Sequence, residues 1–484
     1  MKARRLWTAG VILALALVLC PARIAQATNY YVGNAFDDGD GSLRHAIENA
    51  NAHPGADVIR FNIPGAWAHT IPLASPLPTL NDPTGGTTID GYWQSGSSPA
   101  VGAAPATIMI RIDGVGAGTG TANNTVTGNF VGINSFGSTH LENAFNGVVI
   151  SGGAQWNTIG PGNVISGNHQ DGISIVGTGS ANNVVAGNII GLNTTGAAEV
   201  KNHRYGILLS DSAQNNTVGG DTAAERNVIS SNGSYGVYIT GASVTGNIVS
   251  GNIIGSDANA TADLGNLGMG VTIRNGAQNN LIGGDVAAEA NFIAHNGHGV
   301  WIRDAGTNGN TVSYNAIAAA DFHGVYVALG AQYNTIGPFN TIAQNWVNGV
   351  YIEGATTRGN VVTRNSIYAN GQGISLDGGA NNAIPTPGIA NITLGGGAVN
   401  IVGKSCVACT VEVFTNHDND GEGETYLGTT AADGSGWFTM SVSSLYHTYV
   451  TVTSTRAGDG TSEFSTPYTC TFQAILLPDI SRNP

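Results

Sequence analysis

Asn334-Thr-Ile-Gly-Pro-Phe-Asn-Thr-Ile-Ala-Gln-Asn-Trp-Val-Asn-Gly-Val-Tyr-Ile352 is one unit of a pattern that recurs nine times between residues 124 and 376. The unit opens on Asn, any residue, then Val or Ile. It often carries Gly-Asn-Ile-Ile or Asn-Val-Ile-Ser in its middle and closes on Gly-Val-x-Ile. The opening Asn falls at 124, 157, 183, 216, 247, 280, 310, 334 and 360, and the closing Gly at 147, 172, 206, 236, 270, 299, 324, 349 and 373. Units are thus 24 to 33 residues long, each with three short alternations of period 2. A helical repeat needs about 10 to 15 residues of 3.6-period pattern per helix, which no unit contains. Each unit reads as one coil of an all-β solenoid, a parallel β-helix.

Stacking coils about 4.8 Å apart fixes where the side chains go. Val300 and Ile302, Val325 and Val327, and Val350 and Ile352 point inward, and the residue between each pair points out. Coil by coil that outward column reads Val149, Ser174, Leu208, Tyr238, Thr272, Trp301, Tyr326, Tyr351 and Ser375. The opening asparagines should stack into a ladder whose amides bond along the axis and close the turns. The inserts Asn134 to Asn146, Asn193 to Arg204 and Asp257 to Leu267 are placed on loops.

Composition agrees. Of 484 residues 71 are Gly and 50 are Asn, which favour turns and left-handed backbone and exclude a mainly helical chain. With 42% hydrophobic residues a continuous core is available. Residues 1–27 have the form of a secretory signal: Lys2, Arg4 and Arg5, then an apolar stretch from Leu6 to Cys20, then Ala25-Gln26-Ala27 for cleavage. No later segment has the apolar length to span a bilayer. Cleavage near Ala27 leaves 13 basic against 31 acidic residues, a net charge of −18. Such an acidic exported chain repels nucleic acid and anionic membranes. Of Cys406, Cys409 and Cys470, one pair is expected to bridge and one thiol to be left over.

Upstream of the repeat, Ser42 to Asn51 reads as a helix capped by Ser42, with Leu43, Ala46, Ile47 and Ala50 on one face. It should cover the open end of the core. Asp57 to Phe61, Thr70 to Leu73, Thr87 to Gly91 and Thr107 to Ile112 read as the first, less regular coils. Pro385-Thr-Pro-Gly388 breaks the repeat. Beyond it, Cys409 to Phe414, Tyr426 to Thr429, Trp437 to Ser441 and Tyr449 to Ser454 read as strands of an antiparallel sandwich. The expected organisation is a signal (1–27), a cap (28–55), the β-helix (56–384), a linker (385–390), the sandwich (391–469) and a tail (470–484).

Gly41-Ser-Leu-Arg-His-Ala-Ile-Glu-Asn-Ala-Asn51 resembles the Cys-Ser-Leu-Arg-Glu-Ala-Ile cap motif of bacterial exported β-helix proteins. Pro54 to Phe61, Leu77-Pro78 and Thr88 to Gly91 are similar to their first coils. Val411 to Phe414, Gly421 to Gly423, Tyr426 to Gly428 and Thr461 to Ser465 are similar to the sandwich that often follows. Two positions depart: Gly41 stands for the Cys, and His45 for the Glu that would complete a capping box with Ser42. The resemblance implies the right-handed, pectate-lyase-like superfold and an extracellular or cell-surface life, and no single activity.

Gly297-His298-Gly299 resembles the Gly-His-Gly of polygalacturonases, but their Asn-Thr-Asp, Asp-Asp and Arg-Ile-Lys pieces are missing from the repeats. His298 also falls at a position held in other coils by Asp171, Tyr205, Tyr235, Met269, His323 and Asn348, so a turn residue is the plainer reading. Glu353 and Asp377 follow the closing strand on adjacent coils, a spacing that suits a carboxylate pair. A metal-dependent lyase would draw on Asp304, Glu353 and Asp377 with Arg303 as base. Asp418 and Asp420, in Asn416-His-Asp-Asn-Asp-Gly421, are Ca²⁺ candidates, although the twelfth loop position is Leu427 rather than Glu and an ordinary turn is favoured. No other cofactor is expected.

The outward column carries the binding signal. Trp301, Tyr326 and Tyr351 should line up on one exposed face, with Tyr238 further along it and Arg303 and His323 at its border, as aromatic and polar groups that suit sugars. The expected function is recognition of extended polysaccharide or a cell-surface glycan along this strip. A polysaccharide lyase or glycoside hydrolase, and a structural or adhesive stalk, are the alternatives.

Overall fold

The computed structural model describes residues 26–65, 69–71, 77–81, 86–94, 110–112, 115–117, 122–134 and 136–470. The expected signal up to residue 25, the tail from residue 471 and half of each of the segments Thr70 to Leu73 and Thr107 to Ile112 lie outside the described residues.

Each coil contributes one strand to each of three sheets, which hold 12, 11 and 10 strands among the described residues, all paired in parallel and in coil order. The repeat dictates this. After the opening Asn comes a strand of the first sheet, after the middle Asn one of the second, and after the closing Gly one of the third, as in Thr335–Ile336, Thr341–Ala343 and Asn348–Glu353. The result is the parallel β-helix expected from the sequence, right-handed as crossovers between parallel strands of one sheet are. Its core is a stack of fully buried aliphatics in which Val300, Ile302, Val325, Val327, Val350 and Ile352 take their expected inward places. The closing Gly is demanded by closeness: a Cβ on Gly299 would stand 2.4 Å from Ile317 Cγ2 and 2.6 Å from the Gly324 carbonyl.

Three asparagine ladders, not one, run along the corners. In the first, Asn124, Asn157, Asn183, Asn216, Asn247, Asn280, Asn310, Asn334 and Asn360 each donate Nδ2 to the next Oδ1 at 2.7–3.1 Å up to the last pair, where Asn360 N–H donates to Asn381 Oδ1. A second ladder runs from Asn129 to Asn365. The third runs from Asn143 to Asn296, skips the coil where Ala320 stands, and resumes at Asn345 and Asn370. The backbone N–H of most rungs donates to the same oxygen, which orients the amides one way, donors toward the C-terminus.

The N-terminal end is closed by the helix Leu43–Ala52, whose His45 N–H donates to Ser42 Oγ and whose Leu43, Ala46, Ile47 and Ala50 are buried. Among the described residues no helix is long and apolar enough to cross a membrane. The C-terminal end is closed by the sandwich. Its sheets are Gly388–Gly395, Ala398–Lys404 and Trp437–Val442, and Thr425–Ala431, Thr410–Asn416, Tyr449–Arg456 and Gly460–Thr461, with Tyr468–Thr469 alongside. The first two strands went unread in the sequence, and the expected linker shrinks because Gly388 already begins one of them. Cys406 and Cys409 form the disulfide, and the buried Cys470 is free.

The sandwich is docked, not tethered. Phe414 and Phe464 join the β-helix core. Three of its glutamates accept from the last coil: Glu412 from Arg364 N–H at 2.9 Å, Glu422 from Asn370 N–H at 3.2 Å and Glu463 from Leu376 N–H at 2.9 Å. An acceptor-only group is what a bare parallel edge of N–H donors requires. Burial pushes the Glu422 carboxyl up to about 7 from the ordinary 4.5, with Asp420 adding to the rise and the bonds from Asn370 opposing it. A carboxyl raised on folding binds its proton more tightly in the folded state. Its stabilising contribution is therefore complete below the unfolded value and is lost as pH rises through the folded one. Glu422→Gln retains an oxygen for Asn370 and removes the titration. Thermal melts should show the variant more stable than the parent at about pH 8, by about 2 kcal/mol after solvent screening, and equal to it at about pH 4.

Candidate functional site: the aromatic face of the third sheet

Register places the outward column as the sequence reads it. Tyr238 pairs with Thr272, Thr272 with Trp301, Trp301 with Tyr326, Tyr326 with Tyr351, and Tyr351 with Ser375. The rings use their faces on one another. Trp301 and Tyr326 stack at 5.8 Å and 10°, and Tyr326 and Tyr351 at 5.3 Å and 27°. The expected row of flat faces is therefore a pile of plates whose half-buried edges and hydroxyls border the outside. Tyr238 stands apart from it, because the fully buried Thr272 lies between. It groups with Tyr205 and Tyr235, at 4.7 and 5.2 Å.

Arg303 lies over the free face of Trp301, 4.2 Å from its centroid. Its Nε also meets Asp304 Oδ1 at 3.0 Å, while Arg274 Nε meets Oδ2 at 2.9 Å, so Asp304 carries two guanidinium partners and its carboxyl is held below the usual range despite burial. His298 and His323 stack in parallel, 5.1 Å apart. His323 N–H donates to His298 Nδ1 at 3.3 Å, which puts the His298 proton on Nε2. Burial drives both rings down to about 4, so both are neutral at neutral pH.

The carboxylates are tied to the tyrosines. Glu353 and Asp377 are register partners, as expected. The Tyr326 hydroxyl donates to Glu353 and the Tyr351 hydroxyl to Asp377 Oδ2 at 3.1 Å. Burial and these bonds raise both phenols, Tyr351 to about 12. The strip thus offers neutral imidazoles, un-ionised phenols, bonded carboxylates and a guanidinium: a hydrogen-bonding surface. Trp301 Nε1 and His323 Nδ1 are buried without a partner among the described residues, a cost that a structural stack alone would not select.

Several surface features went unread. Phe322 and Trp346, 53% and 82% exposed, flank the strip at the corner leading into it. Trp346 follows the ladder residue Asn345, and that position was the available signal. Tyr314 and Phe339 pack at 5.0 Å at another corner and, with Ala287, Ala290 and Thr341, line a cavity of about 500 Å³. Both hold left-handed backbone, φ +61° and +63°, where Gly or Asn is the easier choice. In the sandwich, Asp420 closes a turn by accepting from Glu422 N–H at 3.2 Å. Beside it and Asp418 lies a cavity of about 190 Å³ that His417 and Glu424 also line, and the donor atoms of His417, Glu424 and His447 fall within 4.8 Å of one another.

Residues 285–386 match a family described as periplasmic copper-binding protein (NosD). These are the coils that carry the strip. Among solved structures the chain is similar to the periplasmic alginate epimerase AlgG, at 14% identity and TM-score 0.36, over 67% of this chain and 70% of that one. The A-module of the Azotobacter vinelandii mannuronan C-5 epimerase AlgE6 aligns at 17% and 0.34, over 72% and 94%. PfbA, a surface adhesin of Streptococcus pneumoniae, aligns at 11% and 0.30, over 77% and 97%. No curated protein matches the chain.

Proposed function

We propose that the chain is an exported bacterial β-helix protein, secreted or held at the cell surface, that binds extended polysaccharide along the third sheet. The observation that carries this reading is the unbroken rung-by-rung pile of Trp301, Tyr326 and Tyr351, edged by Arg303, His323, Glu353 and Asp377. Its repeat is that of the coils, so it offers a linear chain the same kind of contact at successive steps. Phe322 and Trp346 add exposed apolar area at its rim for sugar C–H faces. The family name speaks of copper, while among the described residues both groups of three converging His and Glu donors lie outside the matched coils.

The test is native electrophoresis of the mature protein through gels cast with plant and microbial polysaccharides, beside Trp301→Ala and Trp346→Ala, with melting temperatures as the folding control. The parent should be retarded, and loss of Trp301 should weaken binding by roughly tenfold. A zone cleared of glycan would instead assign a lyase or hydrolase and turn attention to Glu353, Asp377 and His298. Neither retardation nor clearing on any glycan would leave the stalk.

A further inference from the structure

The inserts that lengthen three coils are folded alike. Single antiparallel bridges join Ile133 to His140, Leu192 to Glu199 and Ser256 to Asp263. The inserts also stack: Thr194 N–H donates to the Gly137 carbonyl and Ala258 N–H to the Gly196 carbonyl, each at 3.0 Å. The sequence placed them on loops without this order.

One end of this stack gathers imidazoles. His169 and His203 each follow a third-ladder asparagine on adjacent coils, so the rung spacing sets their rings side by side, 5.3 Å apart. His140, at the bridged position of the first insert, stands edge-on to His203 at 6.0 Å. Glu142 reaches between them. Its Oε1 lies 3.2 Å from His203 Nε2 and its Oε2 3.6 Å from His169 Nδ1. Donor atoms of His140, Glu142 and His203 all lie within 4.8 Å of one another.

We propose that His140, Glu142, His169 and His203 bind one divalent transition-metal ion of the Zn²⁺ or Cu²⁺ class. A tetrahedral ion with bonds of about 2.0–2.1 Å holds its ligand atoms about 3.3 Å apart, and the 3.2 Å between Glu142 Oε1 and His203 Nε2 is already close to that edge, with His169 beside the other carboxylate oxygen. Three nitrogens and one oxygen suit zinc or copper; calcium and magnesium take oxygen ligands. All four side chains are exposed, so the ion enters without unfolding, and once bound it pins the first insert to the next two coils. The site lies outside residues 285–386 and away from the aromatic strip.

The experiment uses full-length mature protein without a histidine tag, stripped with chelator and titrated with Zn²⁺ by calorimetry and with Co²⁺ by visible absorption. The parent should take up an ion with the intense absorption of four-coordinate cobalt. His203→Ala and His140→Gln should weaken that binding by roughly tenfold or more while their metal-free melts match the parent. His417→Ala should retain the cobalt signal. Binding unchanged in both of the first variants, binding lost only in His417→Ala, or no uptake at all would each overturn the proposal.

Discussion

Asn247→Asp is expected to destabilise the chain by about 4–6 kcal/mol, the largest effect of any single conservative change in the solenoid. Asn247 is fully buried at the middle of the first ladder. Its Oδ1 accepts from both the backbone N–H and the Nδ2 of Asn216, at 3.0 Å each, and its Nδ2 donates to Asn280 Oδ1 at 3.0 Å and to the Ala213 carbonyl at 3.1 Å. Aspartate has the same shape and can still accept, but it sets an oxygen against two oxygens and buries a charge with no cation beside it. Asn247→Ala, which removes the bonds without adding charge, should cost about 3 kcal/mol. Urea unfolding followed by circular dichroism ranks the two, and near-equal midpoints for parent and Asp variant would show that the ladder is spectator to packing. Coils contact only their neighbours, so a second, earlier transition in the Asp variant is part of the expected result.

The second large effect lies at the docked end. Phe464→Ala should cost about 3–5 kcal/mol and leave a sticky edge. The Phe464 ring meets Phe414 edge-on at 5.4 Å and presses on the last coil so closely that a Cβ on Gly373 would stand 2.9 Å from it. Removing it opens the aliphatic column between Ile374 and the sandwich. Light scattering after gel filtration should then report association that the parent lacks, alongside the lowered melting point. A variant that elutes, scatters and melts with the parent would mean that the three glutamates alone hold the sandwich in place.

The coils were legible because their chemistry is local and repeated. A period-2 alternation after Gly, spaced by one turn of the solenoid, fixes inward and outward residues without any distant partner, and so the column from Tyr238 to Tyr351 follows from spacing alone. What the rings do to each other was not legible. Stacking of Trp301 on Tyr326 depends on rotamers and on Arg303 occupying the far face, neither of which spacing reveals. The docking of the sandwich rests on Phe414, Glu422 and Phe464 reaching a coil many residues earlier in the chain, where no periodicity points. The His140 cluster was hidden for the opposite reason. Two of its members occupy the post-ladder position, yet Gly233, Leu267 and Gly297 hold that position elsewhere, and the other two belong to an insert whose fold is set by one bridge.

The one-way polarity of the ladders has a bearing on how such a chain changes length. Within the unbroken stretches of the ladders each rung hands an identical donor to an identical acceptor ahead of it, so a coil excised or copied between two such asparagines leaves a joint like the joints beside it. Only the two terminal pieces are particular: the helix that begins the stack, and the sandwich whose carboxylates end it. Duplication within the coding sequence can therefore lengthen or shorten the rod by whole turns, with any surface written along it growing or shrinking in the same step.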